Sequence, residues 1–96
     1  MKITKATRFH SSFRTGSIVP IKHTEITEIL GIKHSKGDGD KVKKEWRFLV
    51  DGIPCAIWDY KGSHKFNQYS CYMPGLIGKA LFGDRYQIED DYRRDV

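Results

Sequence analysis

The feature that most constrains this chain is the dipeptide Asp51-Gly52, which separates two runs of alternating side chains. Asp-Gly is a preferred sequence for a two-residue type I′ turn, because both central residues of that turn need a positive φ angle. Apolar residues near the turn then share one face, and a one-residue slip would expose them to water. The expected strand pairs are Val50 with Ile53, Phe48 with Cys55, Trp46 with Ile57 and Lys44 with Asp59.

Two short helices are predicted on either side of this hairpin. Thr24 is a suitable N-cap for a helix over residues 24–30, where isoleucine and leucine side chains share one face before Gly31. After the hairpin, a proline and a glycine precede a second apolar pattern that predicts a helix over residues 75–82, ending at Gly83. Each helix is expected to cover part of a sheet.

The remaining segments complete the prediction of a small α+β domain. Alternating side chains predict further strands over residues 3–9 and 66–73, whereas polar, glycine-containing stretches predict loops. The predicted loops are residues 10–17, 33–40 and 61–65. We therefore expect a single α+β domain over residues 1–88, in which a small antiparallel sheet is built on a 42–60 hairpin and two short helices pack against it. Residues 89–96 are expected to form a flexible tail.

Composition excludes several broad classes of protein. No apolar run approaches the roughly 20 residues needed to span a bilayer, and the N-terminal residues lack the apolar stretch of a secretory signal. A cytoplasmic location is the expectation, with no membrane partner. Cys55 and Cys71 are too few for a disulfide scaffold. They are expected to be buried free thiols, although a bridge between neighbouring strands is an alternative under oxidising conditions.

Catalytic and metal-binding patterns are not found in the sequence. The four histidines have no zinc-site spacing, and no pair of cysteines accompanies them. Ser63 and His64 are adjacent in sequence, an arrangement that does not normally direct one side chain at the other. We therefore expect a non-enzymatic protein without a metal or another cofactor.

The outward face of the hairpin is the candidate binding surface. The predicted pairing puts Lys43, Glu45, Arg47 and Leu49 opposite Tyr60, Trp58, Ala56 and Pro54. Trp58 and Tyr60 are unexpected on an outward face, and basic residues surround them. Bases could stack there while the cations neutralise phosphates; a covering helix or subunit would instead make the two aromatics a second core layer. The candidate ligand-binding residues are Lys43, Arg47, Trp58, Tyr60, Lys61 and Lys65.

A longer pattern carries a family resemblance. A recurring pattern in small phage-encoded accessory proteins resembles the string formed by Glu45-Trp46, Asp51-Gly52, residues 57–63, Tyr69-Ser70, Pro74 and residues 81–83. The resemblance covers roughly residues 42–86 and implies a chain that acts in the host cytoplasm by occupying a host molecule. It implies no enzymatic activity that can be assigned to particular residues. Cys71-Tyr72-Met73 departs from the pattern, in which a smaller or glycine-containing segment is usual.

These features lead to two functional hypotheses. The net charge of +5 favours phosphate groups or an acidic partner. The first hypothesis is a phage-type binding protein, acting in counter-defence, that sequesters a phosphate-bearing small molecule or inhibits an acidic host protein, as a monomer or a homo-oligomer. The alternative is a nucleic-acid-binding module that uses the basic and aromatic sheet face.

Overall fold

The computed structural model describes residues 1–6, 14–36, 42–60 and 62–89. The described strands are β1 (Ile3–Lys5), β2 (Gly16–Ile18), β3 (Ser35–Lys36), β4 (Val42–Val50), β5 (Ile53–Tyr60), β6 (Tyr69–Tyr72) and β7 (Tyr86–Ile88). The described helices are α1 (His23–Leu30) and α2 (Gly75–Phe82), and short 3₁₀ helices span Ser63–Phe66 and Gly83–Arg85. An antiparallel sheet with two helices confirms the α+β class.

The central hairpin of β4 and β5 turns at Asp51 and Gly52, whose φ angles are 51° and 84°. Positive φ at both positions is what a type I′ turn requires. The resulting register pairs Val50 with Ile53, Phe48 with Cys55 and Trp46 with Ile57. Because side chains alternate along each strand, Trp46 and Trp58 lie on opposite faces of the sheet.

Further from the turn, a β-bulge changes the pairing. Val42, rather than Lys43, pairs with Tyr60, and the register shifts between Val42 and Glu45. Lys43 and Lys44 therefore stand against the single residue Asp59, as two residues oppose one at a bulge. The carboxylate of Asp59 accepts a hydrogen bond from the backbone N–H of Lys44 at 2.8 Å. The expected pairing of Lys43 with Tyr60 was therefore wrong.

The sheet extends well beyond the hairpin. Its strand order is β1-β4-β5-β6-β2-β7, with β3 also paired to β4, and all the neighbouring strands are antiparallel. Residues 16 and 17 were expected to be loop but belong to β2. Gly16 is needed there because a Cβ atom would meet the carbonyl oxygen of Gln87 on β7. A glycine that resembles a loop signal is thus a requirement of close strand packing.

Other boundaries also differ from the expected ones. Residues 66–68 precede β6 rather than belonging to it, because the 3₁₀ helix and Asn67, with φ of 56°, turn the chain there. Two residues of the expected 33–40 loop form β3, and residues 37–40 lie outside the described part. Helix α1 begins one residue early, with Lys22 as N-cap and no side-chain capping bond, so Thr24 is not the cap.

Both helices pack on one face of the sheet. The indole Nε1 of Trp46 donates a hydrogen bond to Thr27 Oγ1 of α1 at 3.3 Å, while Gly78 of α2 lies against the ring of Tyr86. The register places Trp46 and Tyr86 on the same face. The core between helices and sheet includes Ile18, Ile21, Ile26, Leu30, Trp46, Phe48, Ile57, Tyr69, Cys71, Ile77, Phe82 and Tyr86.

The C-terminal end of the described chain is the edge strand β7, which pairs with β2. The predicted tail begins one residue later, and only Glu89 of residues 89–96 lies within the described part. Arg14 forms an ion pair with Glu89 at 2.8 Å beside this strand. Among the described helices, none has the length and apolar character needed to cross a membrane.

Candidate functional site

The candidate site is the sheet face opposite the two helices, which we call the helix-free face. No described helix crosses it, because α1 and α2 both pack on the other side. The strand alternation and the register assign its residues. They include Ser17, Glu45, Arg47, Ala56, Trp58, Tyr60, Ser70, Tyr72 and Gln87.

Three aromatic side chains stand on the helix-free face. Trp58 is half-buried, and Tyr60, one pair further from the turn, is 40% exposed. Tyr72 is also half-buried and is paired with Ala56 on the adjacent strand. Sequence reasoning missed Tyr72, although its parity, opposite to that of Tyr69 and Cys71, could have identified it. Aromatic rings are the side chains on which nucleic-acid bases stack.

Small side chains lie between these rings. Ala56 stands between Arg47 and Tyr72, and Ser70 stands between Trp58 and Ser17. The alanine and both serines are buried, and no described helix lies on their side of the sheet. Aromatic residues and small, partly hydroxylated residues thus alternate on this face.

The charge of this face differs from the expectation. Arg47 lies there, and its guanidinium forms an ion pair of 3.3 Å with Glu45, two residues earlier on β4. Lys65 is exposed in the 3₁₀ helix after β5. The side chain of Lys43 and the whole of Lys61 lie outside the described residues. The structure thus brings together Arg47, Trp58 and Tyr60, with Glu45 reducing the net charge around Arg47.

The two cysteines are free and buried, as expected from the sequence. Cys71 pairs with Ile57, so Cys55, two residues away on β5, is its diagonal neighbour on the same face. Diagonal neighbours are typically 7–8 Å apart, further than the usual Cα separation in a disulfide. Burial raises the pKa of each thiol to about 12, which disfavours the nucleophilic thiolate at neutral pH.

Metal chemistry has no obvious place within the described residues. No three histidine, cysteine, aspartate or glutamate side chains come together there as possible ligands of a metal ion. Comparison of the chain with protein-family models, with curated proteins and with solved structures finds no match. The geometry of the helix-free face is therefore the basis for a functional interpretation.

Proposed function

We propose that this chain is a non-enzymatic binding protein that holds a ligand containing an aromatic base and a phosphate on its helix-free face. The observation that carries the proposal is the half-buried ring of Trp58, with Tyr60 and Tyr72 on the same face and no described helix above them. A base stacked on such a ring gains roughly 1–3 kcal/mol. Arg47 can exchange its half-buried ion pair with Glu45 for a ligand phosphate.

The base and phosphate chemistry is shared by free nucleotides and by single-stranded nucleic acid. Sequestration of a free phosphate-bearing molecule corresponds to the counter-defence role, which rests on the sequence resemblance to phage accessory proteins. A strand lying across β5 and β6 corresponds to the nucleic-acid alternative. The two differ in salt dependence, because a strand neutralised at several phosphates releases several counterions and loses affinity steeply with salt.

The proposal is tested by titrating tryptophan fluorescence with ATP, a cyclic dinucleotide and oligothymidylate at low salt. Trp46 is fully buried, so stacking on the helix-free face should act mainly on the emission of Trp58. We expect saturable quenching by at least one of these ligands. Substitution Trp58→Leu removes the fluorescent reporter, so its affinity is compared with that of the unaltered protein by isothermal titration calorimetry. The substitution should weaken binding by about 5- to 150-fold, the range that corresponds to the loss of one stacked base.

Matched control variants distinguish the loss of a ligand contact on the helix-free face from a general effect of substitution on the protein. Leu76 on α2 is 88% exposed, so Leu76→Ala changes an apolar surface residue outside the helix-free face. Arg47→Gln should weaken binding, whereas Lys79→Gln on α2 removes an equal charge elsewhere. Thermal melting of each variant verifies folding. The proposal fails if none of the ligands binds, or if Trp58→Leu and Leu76→Ala affect binding equally.

A protein partner is the second candidate for the same face. Tryptophan, tyrosine and arginine are the residues most enriched at the energetic centres of protein interfaces, and the helix-free face carries all three types. An acidic host protein would pair with Arg47 and cover the exposed part of Tyr60. Co-purification from host extract that is lost in Trp58→Leu but kept in Leu76→Ala, together with no response to nucleotides, would favour this candidate.

A further inference from the structure

A second group of polar side chains lies on the helix side of the sheet, near the start of β4. The ring of His34 packs edge-on against Trp46, with centroids 5.5 Å apart, and against His23 at 6.1 Å. Trp46 in turn contacts Tyr69 at 5.6 Å. This row of rings runs from His23 at the surface into the core, and His34 is half-buried within it. Packing against Trp46 therefore positions the imidazole of His34.

Cationic side chains surround this pair of imidazoles. Lys36 of β3 stands directly opposite Lys44 of β4 in the strand register. Like charges in directly opposite positions destabilise a sheet. Lys33 precedes His34 in the chain. We call His23, His34, Lys33, Lys36 and Lys44 the cationic cluster.

The electrostatic surroundings of His34 favour its neutral form. Burial is the main cause that lowers its pKa, and the positive charges of Lys44, His23 and Lys33 lower it further. The carboxylate of Asp59 on β5 acts in the opposite direction. Two other carboxylates on neighbouring elements are engaged elsewhere: Glu25 binds Arg85 at 2.7 Å, and Glu45 pairs with Arg47 on the other face.

We propose that the cationic cluster is a binding site for a phosphate-type dianion, separate from the helix-free face. A dianion would relieve the repulsion between Lys36 and Lys44 and would accept a hydrogen bond from the imidazolium of His34. Binding is accompanied by uptake of a proton from solvent at His34. Affinity therefore increases as the pH falls through the pKa of His34, because the dianion favours the imidazolium form.

The test uses sulfate, which stays a dianion throughout the titration range of histidine, so that any pH dependence belongs to the protein. Histidine ring signals are followed by NMR from pH 8 to pH 5, in sulfate and in chloride of equal ionic strength. We expect the pKa of His34 to rise by about one pH unit in sulfate, which corresponds to roughly tenfold tighter binding to the imidazolium form.

Variants assign the effect to the cluster. Lys36→Gln changes an exposed residue and should reduce the sulfate-induced rise at His34, whereas Lys79→Gln on α2 should leave it unchanged. Trp58→Leu should also leave it unchanged, so that failure of this site is distinguishable from failure of the proposed function. The proposal is overturned if the pKa of His34 is equal in sulfate and chloride, or if Lys36→Gln leaves the sulfate-induced rise unchanged.

Discussion

At the residue scale, the buried Thr15 makes several hydrogen bonds to the backbone at the end of β6. Its hydroxyl accepts a hydrogen bond from the Met73 backbone N–H at 3.0 Å and lies 3.2 Å from the Met73 carbonyl oxygen. The Thr15 backbone N–H also bonds to the carbonyl of Cys71 at 2.9 Å. Thr15 is buried just before β2 and thus provides hydrogen-bond partners for the backbone of Cys71 and Met73, where the regular pairing of β6 with β2 ends.

Replacing Thr15 by valine, which has the same shape but no hydroxyl, should therefore destabilise the fold. The backbone N–H of Met73 would lose its partner in a buried place, at a cost of about 1–3 kcal/mol. Urea denaturation should show this loss for Thr15→Val, while Thr15→Ser, which keeps the hydroxyl, should lose less. Equal midpoints for the two variants would show that the hydroxyl contributes little.

Two glycines of α2 provide a second test at the residue scale. A Cβ atom on Gly78 would lie 2.5–2.6 Å from three atoms of the buried Tyr86 ring, whereas one on Gly75 would be 3.3 Å from the flexible end of Ile88. Gly78→Ala should therefore cost roughly 1–3 kcal/mol through overpacking. Gly75→Ala should change stability by less. Thermal or urea unfolding that ranks Gly75→Ala as the more destabilising change would contradict this prediction.

At the element scale, the hairpin combines a regular half and an irregular half. Near the turn, φ angles and side-chain alternation agree, so local sequence and packing favour the same register. Near the other end, the bulge sets Lys43 and Lys44 against Asp59, a buried residue whose carboxylate accepts a hydrogen bond from the Lys44 backbone N–H. The bulge therefore moves Tyr60 to a different partner.

The turn itself can be tested at Gly52. Its φ is 84°, and a Cβ atom there would meet nothing within 4 Å, so a substitution acts through backbone strain alone. Gly52→Val should destabilise the protein by about 1 kcal/mol or more, because a β-branched residue resists positive φ. Gly52→Asn should cost less, since asparagine tolerates this region. Indistinguishable denaturation curves for the two variants would show that the positive φ of residue 52 does not control the stability of the protein.

At the scale of the whole molecule, one apolar layer between the helices and a single sheet face buries several ionisable groups. Burial raises the pKa of Cys55, of Cys71 and of Tyr69 to about 12, and the charge of Asp59 adds to the effect at Tyr69. A raised pKa means that the folded protein holds these protons more tightly than the unfolded chain does. The associated stability is present below the ordinary pKa values and is lost as the pH rises toward 12.

Stability should therefore fall on the alkaline side, beginning near pH 9, where the thiols of the unfolded chain ionise. Urea midpoints measured from pH 7 to pH 11 should decrease over this window. A Cys55→Ala, Cys71→Ala double variant should be less stable overall because of lost packing, but its stability should depend less steeply on pH between 9 and 10. An unchanged slope would show that the thiols do not control alkaline stability.

Local sequence signals were enough to predict the parts of this protein that depend on neighbouring residues. The Asp51-Gly52 pair and the period-two alternation place Trp46 and Trp58 on different faces, and short apolar repeats predict both helices. These signals work because turn conformation and side-chain direction depend on the backbone within a few residues. Of the candidate site, Arg47, Trp58 and Tyr60 were predictable for the same reason.

Tertiary structure decided what depends on distant parts of the chain. Pairing of β2 with β6 and β7 makes Gly16 a strand residue, and both helices pack on one face, which leaves Trp58 and Tyr72 on the other. The approach of His34 to His23 and Lys44 likewise requires α1, β3 and β4 to meet. Periodicity determines which side chains share a face of one element, but contacts between elements follow from how the whole core is packed.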